Sequence, residues 1–218
     1  MPSLPVFLLF LVALPLAAAV QVGAMRIVFE KLGLPSEYAV LLLALALLGG
    51  MVNLPLFTLK AKPPVPRENF PPIDPALQDI FPAWPEKTLI TVNVGGCVLP
   101  ILFAFYLLFG TPLAYQDVVF AIALVSLVAY AGSALVPGVG VVMSMLAAPL
   151  AAAFSGVGLD AAHAAPLAYI AGTLGVLLGA DLLRLAEAGR CGEAAISIGG
   201  AGIFDGIFLS GILAVLLS

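Results

Sequence analysis

Seven apolar runs, bounded at roughly 4–24, 37–53, 95–109, 117–135, 139–156, 164–185 and 199–217, organise this chain, and almost no charge interrupts them. Each is close to the ~20 residues that a helix needs to cross the hydrocarbon core of a bilayer. A soluble domain carries about a quarter charged residues, whereas here 63% of residues are hydrophobic and only 9% are charged. Too few polar groups remain to face water. In lipid every backbone amide must be satisfied internally, which restricts spanning structure to helices and closed barrels. The expected fold is therefore an all-α polytopic membrane protein, a single transmembrane domain over 1–218 with about seven transmembrane helices and the lipid bilayer as its first partner.

The first run has the apolar core and small-residue end of a signal peptide but lacks a basic leading region, so it is read as a helix, running on through Arg26, Glu30 and Lys31. Gly33-Leu34-Pro35 stops it, and Ser36 opens the next. Residues 54–93 form the one long polar stretch, between helices 2 and 3. Its prolines at 63, 64, 66, 71, 72, 75, 82 and 85 exclude a helix and favour extended backbone. The flanks, 56–60 and 88–94, are rich in branched and aromatic residues and are expected to pair as a short antiparallel β-ribbon, the one place where strand is expected. Val136-Pro137-Gly138-Val139-Gly140 is either a tight turn or a break within the membrane.

Lys60, Lys62, Arg67, Lys87, Arg184 and Arg190 fall in two loops that seven spans place on one face, against Arg26 and Lys31 on the other. The positive-inside rule then puts the N-terminus, the proline-rich loop 54–93 and the loop 186–198 in the cytoplasm of a multi-pass cell-membrane protein. The basic residues are scattered, which argues against nucleic acid as a partner. Cys97 and Cys191 lack metal or redox spacing and read as packing residues. His163 stands with Asp160 in a short loop, an ordinary interfacial pair, and Trp84 and Tyr38 read as interfacial anchors. The lysines, Lys31, Lys60, Lys62 and Lys87, all fall in loops, which excludes a retinal Schiff base. Without a phosphate-binding loop, a Ser-His-Asp set or metal-ligand spacing, no cofactor or metal is expected.

The chemistry concentrates in the last ~55 residues. Asp181 lies near the end of the sixth run, and Asp205 lies about 9 Å inside a seventh helix counted from Gly199 at 1.5 Å per residue. Charge within a bilayer is expensive, so an intramembrane aspartate marks function by default. Two carboxylates brought close hold one proton between them, which suits either activation of water or loading of a coupling proton. Gly172, Gly175, Gly179, Gly199, Gly200, Gly202 and Gly206 permit close backbone approach; of these Gly179, Gly202 and Gly206 flank the aspartates and are candidates for substrate binding. Ordinary helix packing accounts for the glycines equally well. A structural role is open to the aspartates too: Arg184 is spaced to neutralise Asp181, and Asp205 to cap the start of its helix.

The stretches IAGTLGVLLGADLL and SIGGAGIFDGIFLSG, with NLPL, ITVNVGG and PGVG, resemble the signature of a family of uncharacterised bacterial and archaeal membrane proteins, known only as a domain of unknown function. At a looser level the chain is similar to the diaspartyl intramembrane proteases of the presenilin, signal-peptide-peptidase and prepilin-peptidase group, which carry aspartates on two consecutive helices. Gly202-Ile203-Phe204-Asp205 departs by one position from the Gly-x-Gly-Asp of those enzymes, Gly179-Ala180-Asp181 replaces their first motif, and nothing after Asp205 matches their Pro-Ala-Leu. What this resemblance implies is an intramembrane aspartyl protease with catalytic Asp181 and Asp205 acting on a transmembrane peptide. The alternatives are a proton-coupled transporter or channel that uses the same carboxylates, and a structural or assembly protein.

Overall fold

In the computed structural model, residues 19–61, 85–136, 140–200 and 202–218 are described. Expectations that concern the first run before residue 19, the prolines from 63 to 82, Lys62, Arg67, Trp84 and the Pro137 turn fall outside them. Helix α1 (residues 19–31) ends in a Schellman motif: Leu34 N donates to Phe29 O, Gly33 N donates to Glu30 O, and Gly33 takes a φ of 69°, the left-handed conformation that glycine adopts without a Cβ penalty. Helix α2 (Glu37–Gly49) follows, and then β1 (Asn53–Lys60) and β2 (Lys87–Asn93) pair antiparallel with a bulge between Pro55 and Phe57. This is the expected ribbon.

A π-helical turn, Val94–Val98, leads into α3 (Leu99–Gly110), and α4 (Tyr115–Ala131) follows. The next stretch corrects the expectation of unbroken helices over 117–135 and 139–156. Strands β3 (Ser133–Val136) and β4 (Gly140–Met143) form an antiparallel hairpin there, and α5 (Ala147–Leu159) begins only afterwards. Gly140 has a φ of 103°, which no helix accommodates, and the valines at 136, 141 and 142 suit a pleated strand. A short turn, Ala161–His163, opens α6 (Ala164–Val176), which continues as a π-helical segment, Leu177–Leu182. Strand β5 (Ala195–Ile198) then joins β2 in parallel, giving a sheet of order β1-β2-β5, and α7 (Gly206–Leu217) closes the chain.

Among the described residues the fold is thus mostly helical, with two small sheets. Helix α6 is its axis: α3, α4, α5 and α7 all pack on it, and every residue from Pro166 to Thr173 is buried. A Cβ at Gly172 would run into the Ser210 backbone of α7, and one at Gly175 would meet Val125 of α4, so small residues set the helix spacing. The exterior is apolar as well, with Met51, Tyr106, Phe109, Phe120, Leu127 and Phe154 all more than half exposed. Among the described residues one helical stretch, Ala161–Leu182, is by itself long and apolar enough to cross a membrane, while the other apolar helices run to 10–17 residues. Lys31 Nζ donates to the carbonyls of Val215 (3.1 Å) and Leu216 (3.2 Å), joining the ends of α1 and α7.

Three backbone segments meet where the sheet joins the helices. Cβ atoms at Gly95 and Gly96 would collide with the end of α2 and with the backbone of Gly199 and Gly202, respectively. Asn93, fully buried, binds the junction: its Nδ2 donates to Gly50 O (2.8 Å) and to Asn53 Oδ1 (3.1 Å), and its Oδ1 accepts from Gly96 N (2.8 Å). Ser197 Oγ donates to the same Asn53 oxygen at 2.6 Å, bringing β5 into the network. At the opposite end of the helices, Asp160 accepts from His163 N (3.2 Å) and contacts His163 Nδ1 (2.9 Å), pinning the entry to α6. That side-chain bond holds the Asp160 carboxyl below the usual carboxylate range.

Three outcomes are expected from this arrangement. Asn93→Ala strands the Gly50 carbonyl and the Gly96 amide and should destabilise the fold by about 3 kcal/mol, from roughly 1–3 kcal/mol for each buried group left unpaired, read as a loss of thermal midpoint in detergent. Gly96→Ala should sharply lower the yield of folded protein, whereas Gly110→Ala, with nothing within 4 Å of the added Cβ, should be neutral or stabilising. Because the Asp160 carboxyl is depressed in the folded state, its contribution is full above its unfolded value and lost as pH falls through the folded one. Acidification from pH 5 to pH 3 should therefore lower the thermal midpoint of the wild type more than that of Asp160→Asn.

Candidate carboxylate site

Asp181 sits in the π-helical segment that ends α6. Such segments are uncommon and recur at functional sites, since the extra residue per turn shifts the side chains that follow. Asp181 is half-buried, and its carboxylate makes no hydrogen bond or ion pair among the described residues. Arg184 does not neutralise it. That guanidinium turns the other way, donating from Nε to Ser133 Oγ (2.6 Å) and from Nη2 to Ser133 O (2.7 Å) and Tyr130 O (2.8 Å). It also lies 4.5 Å over the Tyr130 ring and 3.5 Å from Glu187 Oε2.

Asp205 occupies a different place from the one its run suggests. Gly199 and Gly202 take φ values of 74° and 62°, so helix cannot start at 199. Instead β5, a tight loop and a short turn intervene, and Asp205 is the N-cap of α7. Its Oδ1 accepts from Ile207 N at 2.9 Å, so the capping role open to this residue is realised. Capping fixes the carboxylate at the positive end of the helix, where negative charge is favoured.

Antiparallel packing of α6 and α7, with Gly206 near Val176 and Gly211 against Tyr169 and Thr173, places Asp181 and Asp205 at the same end of the helix pair. Cys97 is buried in the other π-helical turn, against Gly199 of the loop that leads to Asp205. Cys97 is thus a packing residue, as its spacing suggests, seated on the loop that precedes Asp205. The signal for it was Gly95-Gly96, which draws the turn against the loop leading to Asp205. Cys191 lies elsewhere, and burial, with Glu193 nearby, pushes its thiol up.

The glycines divide. Gly179 faces α4, where a Cβ would strike the Ser126 backbone, so helix packing accounts for it. Gly202 lies over Gly50, and Gly206 lies against Met143 and Val176; both border the carboxylates. Further along the same α6–α7 seam are Thr173, Ser210 and Tyr169, all buried. Tyr169 and Thr173 share one face of α6 at i,i+4 spacing, a signal that their apolar neighbours mask in the sequence. No group of three or more metal-ligating side chains occurs among the described residues.

Neither the curated proteins nor the solved structures yield a match. A family profile described as "Protein of unknown function" matches residues 47–217, which takes in the ribbon, the junction at Asn93, the hairpin and both aspartates. The chain belongs to that family, DUF1614.

Proposed function

We propose that this protein lies in a lipid bilayer and uses Asp181 and Asp205 as a paired-carboxylate site for hydrolysis of transmembrane peptide segments. The exposed apolar girdle supports the bilayer placement, because soluble monomers rarely leave such patches uncovered. Helices of 12–17 residues reach only about 18–26 Å at 1.5 Å per residue, short of the ~30 Å hydrocarbon core, so the bilayer thins around them or the flanking turns complete the span. The sheet, Arg184 and Arg190 gather at one end, which the positive-inside rule makes cytoplasmic together with the N-terminus and the loops 54–93 and 186–198.

The observation that carries the hydrolytic reading is that Asp205 caps α7 at the end of the helix pair that also holds Asp181, whose neighbouring arginine is engaged elsewhere. In such a pair the ionised carboxylate takes a proton from water, while the protonated one donates to the carbonyl oxygen of the scissile bond. Hydroxide adds to the carbonyl carbon, and a proton passed to the nitrogen lets the C–N bond break, leaving an acid and an amine. Capping holds Asp205 still through the cycle, as preorganisation requires.

A second reading has its own support. The buried hydroxyls of Thr173, Tyr169 and Ser210 continue the polar line beyond the carboxylates, as a proton-coupled transporter would use. In liposomes with reporter transmembrane substrates, Asp181→Asn and Asp205→Asn should each reduce cleavage by about a thousandfold or more, as loss of a group acting within a catalytic unit does. Equal cleavage by the wild type and both variants removes the hydrolase. Dye-reported proton flux that both variants abolish, in the absence of cleavage, establishes the transporter instead.

A further inference from the structure

The two aspartates are also connected by a path that runs outside α6 and α7. Arg184, three residues after Asp181, grips Ser133 through both its carbonyl and its hydroxyl. Ser133 is the cross-strand partner of Met143. Met143 in turn rests on Gly206, the residue after Asp205, so closely that a Cβ there would lie 2.7 Å from the Met143 sulfur. Strand β4 also packs on the π-helical segment that carries Asp181. Ser144 N donates to Gly132 O at 3.1 Å, closing the base of the hairpin.

We infer that Met143 is the residue that walls the carboxylate site on its hairpin side, and that Arg184 is the positioning residue that holds it there. This rests on Asp181 and Asp205 forming one site. A thioether suits the position. It is apolar, unbranched and flexible, so it excludes water from the carboxylates and repacks around an extended apolar segment, which a β-branched side chain resists. Arg184 supplies rigidity through its fixed fork of donors: two bonds to Ser133 and one to Tyr130 O set the strand opposite Met143. The three-residue offset between Asp181 and Arg184 thereby places the charge where it anchors the cover and leaves the aspartate unneutralised.

The test is modification of full-length protein in liposomes by dicyclohexylcarbodiimide, an apolar reagent for protonated carboxyls, with peptide mapping of each site. Met143→Ala should raise modification of Asp181 and Asp205 severalfold, Met143→Leu should restore the wild-type rate, and Asp117 and Asp160 at the far end should not change. Arg184→Gln should raise the same two sites, and Arg184→Lys should rescue only in part, because a point charge cannot reproduce the fork. Unchanged modification in Met143→Ala, or an equal rise at Asp117 and Asp160, overturns the assignment. If Met143→Ala does not fold, Ser133→Ala, which removes one bond of the grip, carries the same expectation and the same refutation. The readout needs no cleavage, so loss of the hydrolase reading and loss of this one are separately visible.

Discussion

Close contact of bare backbone holds this molecule together. At Gly95 and Gly96 the end of α2, the π-helical turn after β2 and the loop after β5 approach at distances that a single Cβ would forbid. Asn93 then satisfies the amide and carbonyl that such a junction would otherwise bury unpaired. Everything near the aspartates depends on it. The loop that delivers Asp205 to the start of α7 is the same loop whose glycines sit on the turn, and Cys97 is pressed against it there.

Most of the helical framework was legible from hydrophobic run length alone: α2, α3, α4 and α6 lie within or close to the expected bounds, because a run of lipid-compatible residues has few other folds available. The ribbon was legible from branched and aromatic residues flanking prolines. The hairpin and β5 were not, since four-residue strands such as Gly140–Met143 and Ala195–Ile198 are too short to establish a period. Embedded in an apolar run, valines also read equally well as helix. The position of Asp205 was displaced for a related reason: composition counts Gly199 to Phe204 as helix, whereas two left-handed glycines turn that stretch into a loop.

At the site, the identity of the acidic residues was readable and their partners were not. Local spacing pairs Asp181 with Arg184, yet two hydrogen bonds of Arg184 go to Ser133, 51 residues away. Side-chain direction at the end of a π-helical segment decides this, and no helical-wheel rule anticipates it. Asp205 fared better, because a carboxylate ahead of an apolar run is a capping signal. The hydroxyls of Thr173 and Tyr169 were hidden by their apolar neighbours and became visible only once α6 emerged as the axis of the fold.

The bond from Lys31 to the last turn of α7 sets an order of assembly. Residues 206–217 are synthesised after α1, α3, α5 and α6, all of which they touch. Until they arrive, the Lys31 ammonium lacks those carbonyls and the Gly172 face of α6 lacks its cover. The face that α3, α5 and α6 present to α7 thus stays uncovered until that helix has been made.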